Sequence, residues 1–301
     1  AFVCWILVVS IHTRNGVILH GGDDVFRVLL FWGQFVPWGA CFSVDALRNS
    51  YKVDDWSLRS WGGAGLLLQF LSIYIFTGIL KWHPVWHTEG TGLYYALQLE
   101  QFSTPLGYSL LAFFPLTQFL TYATLILELV GPLLVLLPVW KGRWRLIVAF
   151  SFMMFHLGLV FTMNLGMFPW LCIAAWTMVF PPLFWESRVG QTLTAWLHDF
   201  FRALSEVLSR VGLAAVPVLR FPGRALSVVA ILFLVLTVSW NIYEVDDFKL
   251  TKPVALRWVM SVSEMYQRWA MFAPYPRKDD GWYVIEATMF NGHKFDPFKE
   301  D

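Results

Sequence analysis

A few ionisable and amide side chains stand in stretches of sequence that are otherwise apolar, and their types could support chemistry. Lys81 ends the apolar part of "FTGILKWHPVW", Glu128 interrupts "YATLILELVGPLLVLLPVW", and His156 and Asn164 lie in "FHLGLVFTMNLGMFPW". Each needs a hydrogen-bond partner, a cavity or a function, because an unpaired polar group in hydrocarbon is strongly destabilising. A lysine that loses its proton in such surroundings could act as a general base, and an acid inside a membrane span is a functional candidate by default.

The same side chains have structural interpretations, which the residues alone leave open. Lys81 could be an interfacial lysine that extends its stem to reach water, flanked by tryptophans at the membrane surface. Glu128 could make a structural hydrogen bond to His156 or Asn164 that fixes helix packing.

The elements that must position these side chains are membrane-spanning helices. The chain has 301 residues, of which 57% are hydrophobic and only 14% are charged, whereas charged residues make up about 25% of soluble domains.

The net charge is +1 and the basic residues are scattered, so we predict no nucleic-acid partner. His83 and His87 are four residues apart, but Pro84 intervenes and no standard ligand pattern is completed, so we predict no metal site.

Long apolar windows predict an all-α polytopic membrane protein with about seven spans. The predicted spans are 1–11, 25–42, 62–80, 117–140, 144–163, 165–184 and 225–243. The fifth and sixth are nearly continuous, so the sequence from Asn164 to Gly166 is a tight turn, a helix break or part of an embedded cavity.

The distribution of lysine and arginine predicts the orientation. One set of loops carries eleven basic residues: Arg48, Lys52, Arg59, Lys141, Arg143, Arg145, Arg188, Arg202, Arg210, Arg220 and Arg224. The other set carries Arg14, Arg27 and Lys81. The positive-inside rule places the first set in the cytoplasm, so residues 12–24, residues 81–116, the turn at Asn164 and the tail from Glu244 are predicted to be extracytoplasmic.

Two further segments differ from the spans. Residues 186–219 have apolar residues at helical intervals with Arg and Glu between them, which is typical of an amphipathic helix that lies on the interface or packs against the bundle. We therefore divide the chain into a helical membrane domain, 1–243, and a small extracytoplasmic segment, 244–301. In the latter, "GWYVIEATMF" followed by Asn291-Gly292 predicts a small β element that is completed by further sequence or by a partner.

Five stretches, spread over nearly the whole chain, carry a family resemblance. They are "RNGVILHGGDDVFRVLLFWGQFVPWGACFSVDA", "KWHPVWHTEGTGLYYALQLEQFSTPLG", "LILELVGPLLVL", "FHLGLVFTMNLGMFPW" and "WAMFAPYPRKDDGWYVIEATMFNG". In this order they closely resemble the HTTM (horizontally transferred transmembrane) family, which includes the vitamin K-dependent gamma-carboxylase. The likeness is greater to bacterial HTTM proteins than to the animal carboxylase, which implies a multi-pass protein of the bacterial inner membrane.

The resemblance implies roles for particular residues. In the carboxylase a lysine just after a helix end is the proposed base that deprotonates vitamin K hydroquinone, and "TGILK" places Lys81 on it. Glu128 and His156 would join Lys81 as catalytic residues. Those predicted to contact a quinone or vitamin K-like hydroquinone are Asn164, Met167, Phe168 and Trp82.

One departure from the family pattern weighs on the reaction. Where the carboxylase has an Asn-His-Ser-Tyr run, this chain has Gly21-Gly22-Asp23-Asp24, so residues thought to steer the quinone and the base are absent. We therefore expect either a carboxylase-like membrane lyase or oxidoreductase with a quinone-like cofactor in an extracytoplasmic cavity, or a non-catalytic accessory subunit of a larger membrane complex. Its expected partners are the lipid bilayer, a quinone-like molecule and other membrane proteins.

Overall fold

A computed structural model describes residues 1–16, 19–41, 43–49, 60–137, 142–210, 223–278 and 287–295. In these ranges the chain is mainly helical, and the helices, numbered in chain order, are α1 (Phe2–Arg14), α2 (Gly21–Trp32), α3 (Val44–Asn49), α4 (Trp61–Leu80), α5 (Pro84–His87), α6 (Gly92–Gln98), α7 (Pro105–Leu110), α8 (Phe114–Leu136), α9 (Arg143–Thr162), α10 (Phe168–Trp176), α11 (Pro182–Trp185), α12 (Arg188–Arg210), α13 (Gly223–Tyr243) and α14 (Val254–Val262). Four short 3-10 segments join them, at Gly33–Phe35, Trp38–Ala40, Thr177–Val179 and Asp246–Phe248.

Within the described ranges, four helices are long and apolar enough to cross a membrane: α4, α8, α9 and α13. The seven-span prediction is therefore supported only in part. The predicted span 25–42 is broken, because α2 ends at Trp32 and 3-10 turns follow. The predicted span 165–184 divides into α10, a 3-10 turn and α11, and the predicted span 1–11 lies in α1, which has 13 residues.

Helix α4 is the centre of the bundle and packs against α2, α8 and α13. Small residues allow the close approach of α2: a Cβ atom on Gly65 would lie 2.0 Å from the ring of Trp32. The buried core runs along this contact and continues to α9 and α10, which pack against each other. One continuous apolar core thus holds the helices that carry the candidate residues.

The connection from α9 to α10 is a turn stabilised by backbone hydrogen bonds. Gly166 has a φ of +59°, which favours glycine. The backbone N–H of Asn164 donates to the carbonyl of Phe102 at 2.6 Å, and that of Thr104 donates to the carbonyl of Thr162 at 3.1 Å. Backbone groups freed at the end of α9 are thereby paired inside the protein.

The amphipathic helix predicted for residues 186–219 corresponds to α12, which ends at Arg210. Residues 211–219 lie outside the described residues. The helix has three faces. Val189, Leu193, Trp196, Phe200 and Val207 are exposed, while Leu197, Phe201, Leu204 and Leu208 are partly buried where the helix packs against α3 and α11. The remaining face is polar and includes His198, Asp199 and Arg202.

At the C-terminus, the described residues form a short hairpin. The strands β1 (Ala287–Thr288) and β2 (Lys294–Phe295) pair antiparallel around Asn291 and Gly292, and Gly292 has a φ of +83°. Most of the predicted strand, 281–286, lies outside the described residues. Two residues a strand is too little to establish the predicted β element.

Candidate functional site

Lys81 and Glu128 form an ion pair in the interior of the bundle. The Lys81 amine donates to Oε1 of Glu128 at 2.7 Å and to Oε2 at 2.8 Å, and each side chain is 5% exposed. Lys81 is the C-terminal cap of α4, where the exposed carbonyls favour a cation. The interpretation of Lys81 as an interfacial lysine reaching for water is therefore wrong, because its amine points to α8.

Close contact between α4 and α8 depends on a glycine. A Cβ atom on Gly78 would lie 2.7 Å from Cδ2 of Leu129 and 3.5 Å from Cβ of Glu128. The absence of a side chain at Gly78 lets α8 approach near enough for the Glu128 carboxylate to reach the amine.

An aromatic ring covers the other side of the amine. The Lys81 nitrogen lies 4.5 Å from the centroid of the Trp86 ring, within the range of a cation–π interaction. Trp86 is held there by the short helix α5, which begins at Pro84 with a cap from His83, whose Nδ1 accepts the backbone N–H of Val85 at 3.3 Å. The amine thus faces a carboxylate and an aromatic ring.

A second polar group joins α4, α9 and α10 and centres on Tyr74 of α4. The Trp176 indole donates to the Tyr74 hydroxyl at 2.8 Å, and that hydroxyl lies 2.8 Å from Nε2 of His156. A Cys172 thiol is also beside the hydroxyl, but a thiol accepts hydrogen bonds more weakly than an imidazole. We therefore assign the hydroxyl proton to Nε2 of His156, which leaves the ring proton on Nδ1.

The Nδ1 atom of His156 is the unusual atom of this group. It is buried and has no hydrogen-bond partner in the described part of the chain. An unpaired buried donor is destabilising, and a bound water or ligand is one way to satisfy it. The Nε1 atom of Trp86 is also buried and without a partner in the described part of the chain.

A cavity of about 50 Å³ joins the two polar groups. Four of the seven predicted site residues line it: Lys81, Glu128, His156 and Phe168. The other lining residues are Tyr74, Trp86, Leu93, Ala96, Thr124, Phe155, Leu159, Met163, Leu165, Met271 and Phe272. Two sets of polar side chains therefore line one small, mainly apolar cavity.

The remaining three predicted site residues are elsewhere. Trp82 is 62% exposed and stacks on His87 at 4.9 Å, and Met167 is 50% exposed. Asn164 is exposed too, and its backbone rather than its side chain makes the described contact. The predicted hydrogen bond from Glu128 to His156 or Asn164 is not found among the described contacts. Glu128 accepts hydrogen bonds from Lys81 instead, and His156 contacts the hydroxyl of Tyr74.

Sequence reasoning missed Tyr74 and Trp86. A signal existed for Tyr74, because it precedes Lys81 by seven residues, two helical turns, and so shares a face of α4. Trp86 could be found only by placing α5 in three dimensions.

The structure was also searched for a metal site. Among the described residues, no group of three or more His, Cys, Asp or Glu side chains is placed to hold a metal ion.

Comparison with known proteins gives one match. The family model described as "HTTM domain" matches residues 25–185, which is more than half of the chain and contains Lys81, Glu128 and His156. No curated protein and no solved structure matched the chain.

Proposed function

Since the chain belongs to the HTTM family, we propose that this multi-pass membrane protein binds a lipid-soluble, quinone-like molecule in the cavity between Lys81 and His156. The proposal includes a proton-transfer role for Lys81 and Glu128. The single observation that supports it most is that a buried amine–carboxylate pair and a histidine with an unpaired ring nitrogen line the same cavity.

The pair is suited to proton transfer because of its surroundings. Two charges in an apolar interior lose much of their hydration, and Coulomb attraction repays this only in good geometry. Moving the proton from the Lys81 amine to the Glu128 carboxylate turns two buried ions into two neutral groups. The neutral amine then has a lone pair with which to accept a proton from a hydroxyl in the cavity.

The hydrogen-bond donors of the cavity suit a quinone-like ring, but the volume of the cavity is too small for one. The Nδ1–H of His156 could donate to a ring oxygen, and the apolar lining suits a lipid-soluble molecule. A cavity of about 50 Å³, however, holds only a water or two, whereas ligand pockets usually measure about 300 to 1,000 Å³. Binding of a ring therefore requires one wall to move.

If the protein is an enzyme, the reaction we propose is of the carboxylase-like lyase or oxidoreductase class. When bound, a hydroquinone would supply an acidic hydroxyl group. The residues of this chain would bind and orient it through His156, exclude water through the apolar lining, and hold its proton on Lys81. A bacterial inner-membrane location and an extracytoplasmic cavity are parts of the same proposal.

A binding experiment tests the proposal directly. Purified protein in detergent would be titrated with menadione, a small naphthoquinone, while quenching of tryptophan fluorescence is followed. We expect saturable binding that weakens by about tenfold in His156→Phe and in the double variant Lys81→Met with Glu128→Leu, which is what the loss of one good hydrogen bond implies. The double variant is used because it leaves no unpaired buried charge. Met167→Leu is the control, because Met167 is exposed and outside the cavity lining. Absence of saturable binding, or equal binding by all four proteins, would refute the proposal.

A non-catalytic subunit is the second candidate, and one observation favours it. The Lys81 amine is bound to both oxygens of Glu128, so the pair is complete and could serve only to join α4 to α8. Stable co-purification with other membrane proteins, together with no menadione binding, would support this candidate.

A further inference from the structure

The segment after α14 folds back over the bundle, and its end forms a wall of the cavity. We call residues 264–272 the strap. Its residues 265–270 have no regular secondary structure, and alternate side chains are buried: Met265, Gln267 and Trp269 are at most 2% exposed, whereas Tyr266 is 37% exposed. This alternation is that of an extended chain with one face on the protein.

Buried hydrogen bonds anchor the middle of the strap. The side-chain amide of Gln69 donates to Oε1 of Gln267 at 2.6 Å, and the indole of Trp240 donates to the carbonyl of Gln267 at 2.8 Å. Gln267 is thereby joined to both α4 and α13. These contacts hold the central strap against the core.

The beginning of the strap is anchored by a buried guanidinium. Arg27 of α2 is fully buried and donates to the carbonyl of Tyr266 at 2.8 Å. It also forms an ion pair with Glu264 at 3.4 Å and another with Asp24 at 2.7 Å. Removing this charged group from water is unfavourable unless it is paired, so Arg27 and the strap stabilise each other.

The end of the strap is held differently. Met271 and Phe272 line the cavity, and their side chains make packing contacts only, such as the edge contact of Phe272 with Phe102 at 5.7 Å. Phe272 has a φ of +56°, a left-handed conformation that a residue other than glycine rarely adopts and that stores strain. Glu264 at the anchored beginning of the strap also has a positive φ, of +52°, so the difference between the two ends lies in how their side chains are held. Ion pairs and hydrogen bonds hold the beginning and the middle, whereas packing alone holds the side chains that reach the cavity.

We propose that Met271 and Phe272 are a movable wall that sets the size of the molecule the cavity admits. The rest of the lining includes side chains of α4, α8 and α9, which are long helices joined by the Lys81–Glu128 and Tyr74–His156 contacts. Displacing the turn at Met271 and Phe272 breaks none of these contacts and leaves Gln267 anchored. The inference rests on the proposed function for the identity of the ligand, but the wall itself can be tested without one.

The test measures entry into the cavity with a thiol reagent. In a background without native cysteines (Cys4→Ser, Cys41→Ser and Cys172→Ala), the buried cavity residue Ala96 is replaced by cysteine, and its reaction rate with a small methanethiosulfonate is followed. Phe272→Gly removes the side chain and suits the positive φ, and Met271→Ala is a second variant that leaves that turn unchanged. We expect each to raise the rate about tenfold, in proportion to the fraction of molecules with an open cavity. The control is Tyr275→Ala, an aromatic truncation three residues further on, where the side chain is 48% exposed and outside the cavity lining.

The outcomes separate this inference from the proposed function. If the thiol reaction rate is unchanged in both variants and their melting temperatures are retained, the movable wall is overturned, whether or not menadione binds. Equal acceleration in the Tyr275→Ala control would overturn it as well, because general loosening would then explain the result. Acceleration in Phe272→Gly and Met271→Ala without menadione binding by any protein would support the wall and refute the quinone-like ligand.

Discussion

At the scale of single residues, the Lys81–Glu128 pair is the contact most sensitive to substitution. Glu128→Gln leaves the amine buried without a negative partner, and breaking a buried pair in this way typically destabilises a protein by about 3 to 5 kcal/mol. We expect a marked fall in the thermal melting temperature of the purified protein.

A double variant provides the matched control for this loss. Replacing both partners with apolar residues, Lys81→Met with Glu128→Leu, leaves no buried charge and is often neutral, so we expect most of the stability to return. A double variant as unstable as Glu128→Gln would contradict the ion pair as the source of the effect.

Tyr74 gives a second residue-scale prediction. Tyr74→Phe leaves the indole N–H of Trp176 and Nε2 of His156 without their common partner, so we expect the free energy of unfolding to fall by about 1 to 3 kcal/mol. Tyr122→Phe is the control, because the Tyr122 hydroxyl makes one hydrogen bond, to the carbonyl of Thr88 at 2.9 Å, at an exposed position. Equal destabilisation by the two changes in a denaturation assay would argue against the Trp176–Tyr74–His156 chain.

At the scale of elements, α12 is expected to lie in the membrane interface with each face in a different medium. Spin labels would be placed at Trp196 on the exposed apolar face, at Leu197 on the packed face and at His198 on the polar face. In lipid vesicles we expect collisions with oxygen to dominate at position 196, and collisions with a water-soluble nickel complex to dominate at position 198. The label at 197 should be shielded from both, and equal water access at 196 and 198 would exclude an interfacial helix.

At the scale of the whole molecule, the eleven-to-three distribution of basic residues predicts the orientation. A single cysteine at Asn291, in the exposed hairpin, should react with an impermeant thiol reagent on intact cells. A cysteine at Arg188, exposed at the start of α12, should react only after the cells are opened. The reverse pattern would place the C-terminal segment in the cytoplasm and make the proposed extracytoplasmic cavity untenable.

The parts of this structure that the sequence predicts are those with a local physical signal. Long apolar runs predict α4, α8, α9 and α13 nearly to their ends, because length and hydropathy determine a span. Lys81, Glu128 and His156 could be identified as candidates because a polar residue in or at the end of an apolar run is itself a local signal. Their pairing was not predictable, because which partner lies nearer depends on how α4 packs on α8, through Gly78, and on α9.

Other features have no such local signal. The breaks after Trp32 and Trp176 fall inside apolar windows, where hydropathy cannot distinguish one long helix from two short ones. The cavity wall at Met271 and Phe272 lies more than 180 residues from Lys81 in the chain, and only the folded structure brings them together. The family resemblance predicts Trp82 and Met167 at the site, but each side chain is at least half exposed.

The position of Glu128 along α8 has an electrical consequence. It lies fourteen residues after Phe114, where the helix begins, and therefore about 21 Å along the axis of α8, at the level where its partner Lys81 ends α4. As long as Lys81 and Glu128 are paired, their charges cancel and the membrane voltage does no net work on them. A proton that leaves the pair for the surface crosses part of that field, which is worth at most about 2.3 kcal/mol at 100 mV for a full crossing. We therefore expect proton release from this site into one aqueous phase to change when a potassium-diffusion potential is imposed across proteoliposomes. If proton release does not depend on the voltage, water already reaches the pair.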